Sequence, residues 1–149
     1  KTVRVIYTSR VSRNNRSVRN TQSTMALKIL AVDDNQPSRN LIRGYLEHEG
    51  CEVTEADNGD TAIARLSENR FDGVFLDILM PVRDGFEVLA WIKDNQPGLP
   101  VVVITEAGSI YPVSFPEMAE QFGALKSFNK PVTHALVREG LALITGETG

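Results

Sequence analysis

The chain has 149 residues, of which 42% are hydrophobic and 23% charged, and this is the size and composition of one ordinary globular domain. No apolar run approaches the ~20 residues of a membrane-spanning helix, and the single cysteine, Cys51, cannot form an internal disulfide, so we expect a cytoplasmic protein. Six of the 16 basic and none of the 19 acidic residues precede Met25, which leaves ten basic against 19 acidic residues in 25–149, a net charge of −9. A folded domain with this charge is not expected to bind nucleic acid through its general field.

The first 24 residues are polar and basic and have no clear hydrophobic period, so we expect a disordered basic arm or a non-native leader. Met25 stands directly before the first strand-like segment, which favours 25–149 as the folded domain. Two other interpretations of the arm stay open. It can contact nucleic acid or an anionic membrane, or it can be a transit peptide, since it is rich in Arg and Ser and poor in acids.

From Leu27 onward, strand-like and helix-like segments alternate along the chain. Short apolar segments predict five strands, at 27–33, 51–56, 71–77, 99–105 and 125–129. Apolar residues at helical spacing predict five helices, which begin near Pro37, after Asn58-Gly59, near Phe86, near Glu117 and at Thr133. Asn35 is a candidate N-cap for the first helix, and Gly50 is expected to end it. The alternation predicts a three-layer α/β fold around a parallel sheet.

Polar side chains stand at the carboxyl end of four of the predicted strands. The first strand ends in Asp33-Asp34, the third in Asp77, the fourth in Thr105, and Lys130 follows the fifth. Ligands of doubly wound sheets bind beyond these strand ends, so we expect the five side chains to converge. Taken singly, each has a more ordinary interpretation: a solvated turn or helix cap, a hydroxyl bonded to the backbone, or a surface lysine.

Three converging carboxylates predict a specific chemistry. They repel one another unless a cation lies between them, and Mg²⁺ is the hard cation that prefers oxygen ligands. A carboxylate can also be a nucleophile that forms an aspartyl-phosphate. A lysine and a threonine beside it are suited to phosphoryl oxygens, since phosphoryl transfer needs mainly positioning and charge neutralisation.

The folded part of the chain, about residues 26–145, resembles the receiver domains of bacterial two-component response regulators. The resemblance is carried by four segments: VDDN (32–35), VFLDILMPVRDGFEVL (74–89), VVVIT (101–105) and FNKP (128–131). It implies a flavodoxin-like fold, a doubly wound five-stranded parallel sheet in the order 2-1-3-4-5.

The same resemblance implies a role for each matched residue. Asp77 is the expected phosphoacceptor, and Mg²⁺ is expected to be bound by Asp33, Asp34, Asp77 and the backbone carbonyl of Leu79. Thr105 is the expected switch hydroxyl. The resemblance also implies a phosphohistidine donor, on a sensor histidine kinase or a histidine phosphotransfer protein.

Two further expectations follow from the resemblance. Lys130 is expected to pair with the phosphoryl group, ahead of a cis peptide bond to Pro131. The output partner is unknown, signalling is expected through protein contacts, and we expect a monomer or weak homodimer. Such a protein phosphorylates and slowly dephosphorylates its own aspartate and is not a conventional turnover enzyme.

The sequence departs from the family pattern near the fourth and fifth strands. Ser127 stands where many receivers have a switching Tyr or Phe, and Phe128 follows one position later, where we expect it to pack inward because one residue reverses the face of a strand. Glu106 replaces a small residue; it either points to solvent or adds a fourth carboxylate. The segment 108–118 contains Pro112 and Pro116, so we expect a shortened helix or a loop there. It also contains Tyr111 and Phe115. Either the segment forms an altered partner surface, or these aromatic residues pack the loop onto the domain. Leu79 and Ala107 hold positions that tune dephosphorylation in the family, and because neither can orient a water we expect a long-lived phosphoryl group.

Two alternatives to a phosphorylated receiver are kept. A degenerate, phosphorylation-independent binding module is favoured by Glu106, Ser127 and the Pro-rich segment, and opposed by the intact acidic residues, Thr105 and Lys130. An aspartate-nucleophile phosphohydrolase would place a second acid two residues after the nucleophile. That position is Leu79, which argues against a hydrolase.

Overall fold

The structure is a computed structural model that describes residues 26–106, 109–110 and 113–147. The strands are β1 (Lys28–Val32), β2 (Glu52–Ala56), β3 (Gly73–Leu76), β4 (Val101–Thr105), β5 (Ser109–Ile110), β6 (Val113–Ser114) and β7 (Lys126–Asn129). The helices are α1 (Gln36–His48), α2 (Gly59–Glu68), α3 (Gly85–Asn95), α4 (Phe115–Gln121) and α5 (His134–Thr145). None of these helices has the length and apolar character that crossing a membrane requires.

Five parallel strands form one sheet in the order β2-β1-β3-β4-β7. Because β5 and β6 lie outside this sheet, β7 is its fifth strand, and the predicted order 2-1-3-4-5 is confirmed. Every residue of β3 and β4 is buried, because helices cover both faces of the sheet and supply an apolar core on each side. The polar strand ends are therefore the place where this sheet can present chemistry.

The first helix begins and ends where the sequence predicts. Asn35 caps α1 by accepting a hydrogen bond from the Ser38 N–H at 2.9 Å, and Pro37 lies in the first turn, where a missing N–H costs little. The helix ends at His48, and Gly50 follows with a φ of +90°, a conformation that glycine adopts readily. These two ends fix how the chain leaves β1 and enters β2.

The connection between β4 and β7 holds a feature that the sequence analysis missed. A two-stranded antiparallel pair, β5 with β6, precedes α4. As predicted, the following helix is short: α4 has seven residues, with Pro116 in its first turn and a Ser114–Glu117 capping box. The Phe115 ring packs 6.3 Å from that of Phe86, which supports the interpretation that this segment packs onto the domain. Tyr111 and Pro112, which belong to the same segment, lie outside the described residues.

Candidate functional site

Backbone hydrogen bonds hold the polar residues at the strand ends in register. The Asp77 N–H donates to the Val32 carbonyl at 2.9 Å, so the ladder between β3 and β1 extends one residue beyond β3. The Lys130 N–H donates to the Thr105 carbonyl at 2.9 Å and extends the β4–β7 ladder in the same way. The peptide bond between Lys130 and Pro131 is cis, as the resemblance implied. The sheet itself therefore sets the positions of the candidate nucleophile and the candidate cation.

Three carboxylates come together at this edge of the sheet. Asp33, Asp34 and Asp77 each offer an oxygen, and the three oxygens lie within 4.8 Å of one another. Asp33 is fully buried and Asp77 is 5% exposed, whereas Asp34 is exposed to solvent. Two sealed carboxylates beside a solvent-facing one form an oxygen-donor site that opens to one side. Such a donor set fits a hard divalent cation.

Lys130 supplies the positive charge at the site. Its Nζ lies 2.9 Å from Asp33 Oδ2 and 3.6 Å from Asp77 Oδ2, and its side chain is only 12% exposed. Burial acts to lower the pKa of Lys130, yet the close approach of the Asp33 carboxylate and the charge of Asp77 outweigh burial and raise it above the usual value. The ammonium group is therefore charged at neutral pH and lies between two acids.

The electrostatics of Asp77 differ from those of an ordinary aspartate. Burial raises the pKa of Asp77 to about 6, the negative charge of Asp33 adds to the rise, and Lys130 opposes it. An ionised carboxylate in this position is destabilised unless a cation is close. The site thus carries negative charge that Lys130 only partly offsets.

Thr105 and Glu106 point to different environments. The Thr105 side chain is fully buried, and its hydroxyl oxygen has no hydrogen-bond partner within 3.5 Å among the described residues, although it lies near enough to Asp77 to lower the pKa of that carboxyl. A buried hydroxyl without a partner is unfavourable, so this one is available to a group that enters the site. Glu106 is exposed, which favours the interpretation that it points to solvent and does not add a fourth carboxylate.

The loop after β3 closes around Asp77. The Gly85 N–H donates to the Ile78 carbonyl at 2.8 Å, and a Cβ at Gly85 would lie 2.4 Å from the Asp77 carbonyl oxygen, so only glycine fits there. Leu79, whose backbone carbonyl was the predicted further metal ligand, lies in this loop with its side chain 44% exposed. Val82 lies in the same loop with a φ of +70°. Ala107, the other predicted tuning position, lies outside the described residues.

Arg39 is a positioning residue that the sequence analysis missed. Its Nη1 donates to the Asp33 backbone carbonyl at 2.7 Å, and its Nε pairs with Glu55 at 2.7 Å. Arg43 also pairs with Glu55. These contacts connect α1 and β2 to the acidic end of β1. No local motif marks Arg39, because its partners become neighbours only when β2 pairs beside β1.

Ser127 and Phe128 make contacts on opposite faces of β7. The Ser127 hydroxyl donates to the Pro116 carbonyl at 3.0 Å, and its N–H donates to a carboxylate oxygen of Glu120 at 2.9 Å. Both bonds hold α4 against β7. Phe128 is half-buried and packs against the apolar core on the other face, in agreement with the predicted inward packing.

Known sequences resemble the chain over most of its folded part. A sequence model of the response regulator receiver domain matches residues 29–142. The transcriptional regulatory protein ResD of Bacillus subtilis is 42% identical over 85 residues, which cover 57% of this chain and 35% of ResD. The chemotaxis protein CheY of Halobacterium salinarum is 40% identical over 84 residues, which cover 56% of this chain and 70% of that protein. The match therefore spans only about a third of ResD.

Solved structures agree with these sequences. The receiver domain of NtrX from Brucella abortus superposes with a TM-score of 0.73 at 32% identity, over 80% of this chain and 99% of that one. The chemotaxis response regulator CheY4 of Vibrio cholerae superposes with a TM-score of 0.70 at 28% identity, over 80% of this chain and 98% of that one. Each superposition covers four-fifths of this chain and nearly all of the known structure.

Proposed function

The chain belongs to the response regulator receiver domains of two-component systems, and we propose that it accepts a phosphoryl group on Asp77 with Mg²⁺ bound beside it. The observation that carries the proposal is the cluster of Asp33, Asp34 and Asp77, with the Lys130 ammonium group next to it. We take residues 25–149 as the receiver domain and residues 1–24 as an arm or leader outside it.

The donor set of the site fits Mg²⁺. Asp33, Asp34 and Asp77 would hold the ion through carboxylate oxygens, and the backbone carbonyl of Leu79 would add a fourth oxygen. Receiver domains generally bind this metal at an acidic pocket. Bound there, the ion neutralises charge on the phosphoryl oxygens.

The phosphoryl donor is a phosphohistidine of a sensor kinase or of a histidine phosphotransfer protein. An ionised Asp77 oxygen forms the new O–P bond, the P–N bond of the donor breaks, and its electron pair returns to the imidazole ring. Lys130 binds a phosphoryl oxygen by exchanging its contact with Asp33 for one with the phosphoryl group. The buried Thr105 hydroxyl, which lies beside Asp77, donates to another phosphoryl oxygen. The phosphorylated chain signals through protein contacts to an output protein.

A phosphodonor of low mass tests this proposal without knowledge of the kinase. The full chain is incubated with Mg²⁺ and acetyl phosphate, from which acetate leaves as the new O–P bond forms, and its intact mass is measured. We expect one phosphoryl adduct, absent after chelation and absent in Asp77→Asn. Asp94→Asn is the matched control, because Asp94 is exposed on α3 and the same substitution there should leave the adduct unchanged.

Failure to form the adduct has two separable causes. If a beryllofluoride mimic and Mg²⁺ also fail to bind, the phosphorylation-independent binding module replaces the proposal. If the mimic binds and no adduct forms, a phosphohistidine protein is the donor to use next, and its failure would refute phosphotransfer to Asp77.

A further inference from the structure

The two histidines of the chain meet at one place on the surface. His48 is the last residue of α1, and His134 is the first residue of α5. Their ring centroids lie 5.2 Å apart with the rings nearly perpendicular, at 82°. The sequence contains no other histidine, so every imidazole group of the protein lies in this contact.

A carboxylate completes the group. Glu49, the residue after His48, places its Oε2 2.8 Å from His134 Nε2. His48, Glu49 and His134 each offer one ligand atom, and these three atoms lie within 4.8 Å of one another. Two imidazoles and one carboxylate form a donor set quite different from the all-carboxylate cluster around Asp77.

The surroundings hold this group in place and leave it accessible. The Tyr45 ring stacks on the His134 ring at 4.9 Å and 5°, which fixes the plane of that imidazole. The Glu49 side chain is 20% exposed and that of His134 is 35% exposed. A surface cavity of about 330 Å³ lies beside both rings, lined by Asn40, Leu41, Gly44, Tyr45, His48 and His134. An ion in this cavity can therefore reach both imidazole rings from solvent.

We propose that His48, Glu49 and His134 bind a divalent transition-metal ion of the Zn²⁺ type. Imidazole and carboxylate are ligands that Zn²⁺ accepts, at about 2.0–2.2 Å, which puts tetrahedral ligand atoms roughly 3.4 Å apart. The donor atoms, all within 4.8 Å of one another, thus need to move by little more than an ångström. The carbonyl end of α1 favours a cation there, whereas the amino end of α5, which begins at His134, opposes one. The fourth position faces solvent and takes a water.

One neighbouring charge opposes the metal. Arg138 places its Nε 3.7 Å from Glu49 Oε2 and is 66% exposed. A guanidinium group at this distance competes with a metal ion for the same carboxylate. Its removal should therefore strengthen metal binding, whereas removal of any of the three ligands should weaken it. These opposite changes in metal affinity distinguish a specific metal site from nonspecific binding to the surface.

The test is a Zn²⁺ titration of the full chain, purified without a histidine tag, by calorimetry and by NMR of the imidazole groups. Excess Mg²⁺ is present, and the pH is mildly alkaline, because Zn²⁺ binds the deprotonated imidazole and competes with protons for it. We expect one Zn²⁺ per chain and simultaneous shifts of both imidazole signals. His48→Ala should weaken binding at least about tenfold, as should Glu49→Gln, which keeps a hydrogen-bond acceptor for His134. Arg138→Ala should tighten binding about twofold to fivefold, the scale of an exposed charge pair.

Arg70→Ala is the matched control for Arg138→Ala, because Arg70 is also exposed and its loss changes the net charge equally. Several outcomes would overturn the proposal. These are no Zn²⁺ uptake, uptake that leaves both imidazole signals unmoved, or equal tightening by Arg70→Ala. A further one is uptake that survives His48→Ala but is lost in Asp34→Asn, which would assign the Zn²⁺ to the acidic cluster.

Discussion

The ammonium group of Lys130 lies 2.9 Å from Asp33 Oδ2, closer than its 3.6 Å to Asp77 Oδ2. Asp33 is fully buried and Lys130 is 12% exposed, so the pair is almost sealed from water. Lys130 therefore neutralises a carboxylate that the proposed Mg²⁺ would also bind. The lysine and the proposed ion would therefore compete for Asp33, and we expect entry of the ion to release the lysine toward Asp77.

Substitution of Lys130 by methionine tests this competition. We expect Lys130→Met to lower the free energy of unfolding of the metal-free domain by about 2–4 kcal/mol, because it leaves the buried Asp33 carboxylate without its ion-pair partner and, among the described residues, with only the Asn35 N–H bonded to it. We expect the same variant to bind Mg²⁺ more tightly than the parent, because the competing cation is gone. Urea unfolding in chelator and a Mg²⁺ titration measure the two effects.

Lys126→Met is the matched control. Lys126 is 45% exposed and pairs with Glu139 at 3.8 Å, so its loss should change stability by less than about 1 kcal/mol and leave Mg²⁺ binding unchanged. Weaker Mg²⁺ binding by Lys130→Met than by the parent would contradict the competition.

Asp77→Asn should stabilise the metal-free domain at neutral pH. The pKa of Asp77 is raised by burial, and then by Asp33, to about 6, so the folded state binds a proton more tightly than the unfolded state does. Below about pH 4 the carboxyl is protonated in both states, and the penalty of its charge is absent. As the pH rises through about 6 the charge penalty develops in full, and removing it should be worth about 3 kcal/mol.

Urea unfolding in chelator at about pH 4 and at pH values above 6 measures this gain, which should be near zero at the lower pH. Asp94→Asn should give no gain at either pH, since Asp94 is exposed on α3. A gain of equal size at both pH values would show that the charge of Asp77 is not its cause.

Val82 is a β-branched residue in the left-handed region, with φ +70°, and it is 83% exposed. Such a conformation costs an L-residue about 1–2 kcal/mol, and the exposed side chain contributes little burial in return. We expect Val82→Gly to raise the free energy of unfolding by about 1 kcal/mol after the larger chain entropy of unfolded glycine is counted. Denaturant unfolding measures it. Val82→Ala keeps the Cβ and should gain much less, and an equal gain would exclude backbone strain as the cause.

The location of a site residue could be predicted from the sequence where it depends only on the strand that the residue follows. Parallel strands bring their carboxyl ends to one edge, so the apolar segments before Asp33, Asp77 and Thr105 were enough to predict a common site. The contact of His48 with His134 depends on how α1 lies against α5, which no local pattern encodes. The pairing of Arg39 with Glu55 likewise depends on how α1 lies against β2, so no local pattern predicts it. The short β5–β6 pair was missed because two-residue strands carry no detectable period.

Gly140 lies on the face of α5 that packs against the sheet, and a Cβ there would lie 2.9 Å from Phe75 Cε2 and 3.2 Å from Val102 Cγ1. Both neighbours are fully buried in strands that position the site, so neither can move without disturbing the sheet. We expect Gly140→Ala to lower the free energy of unfolding by about 1–3 kcal/mol through overpacking. Gly44→Ala is the matched control within α1: its Cβ would meet nothing within 4 Å, so the better helix propensity of alanine should raise stability by about 0.5–1 kcal/mol. Denaturant unfolding of both variants measures the difference in sign, and a stabilising Gly140→Ala would show that α5 lies farther from β3 than the structure places it.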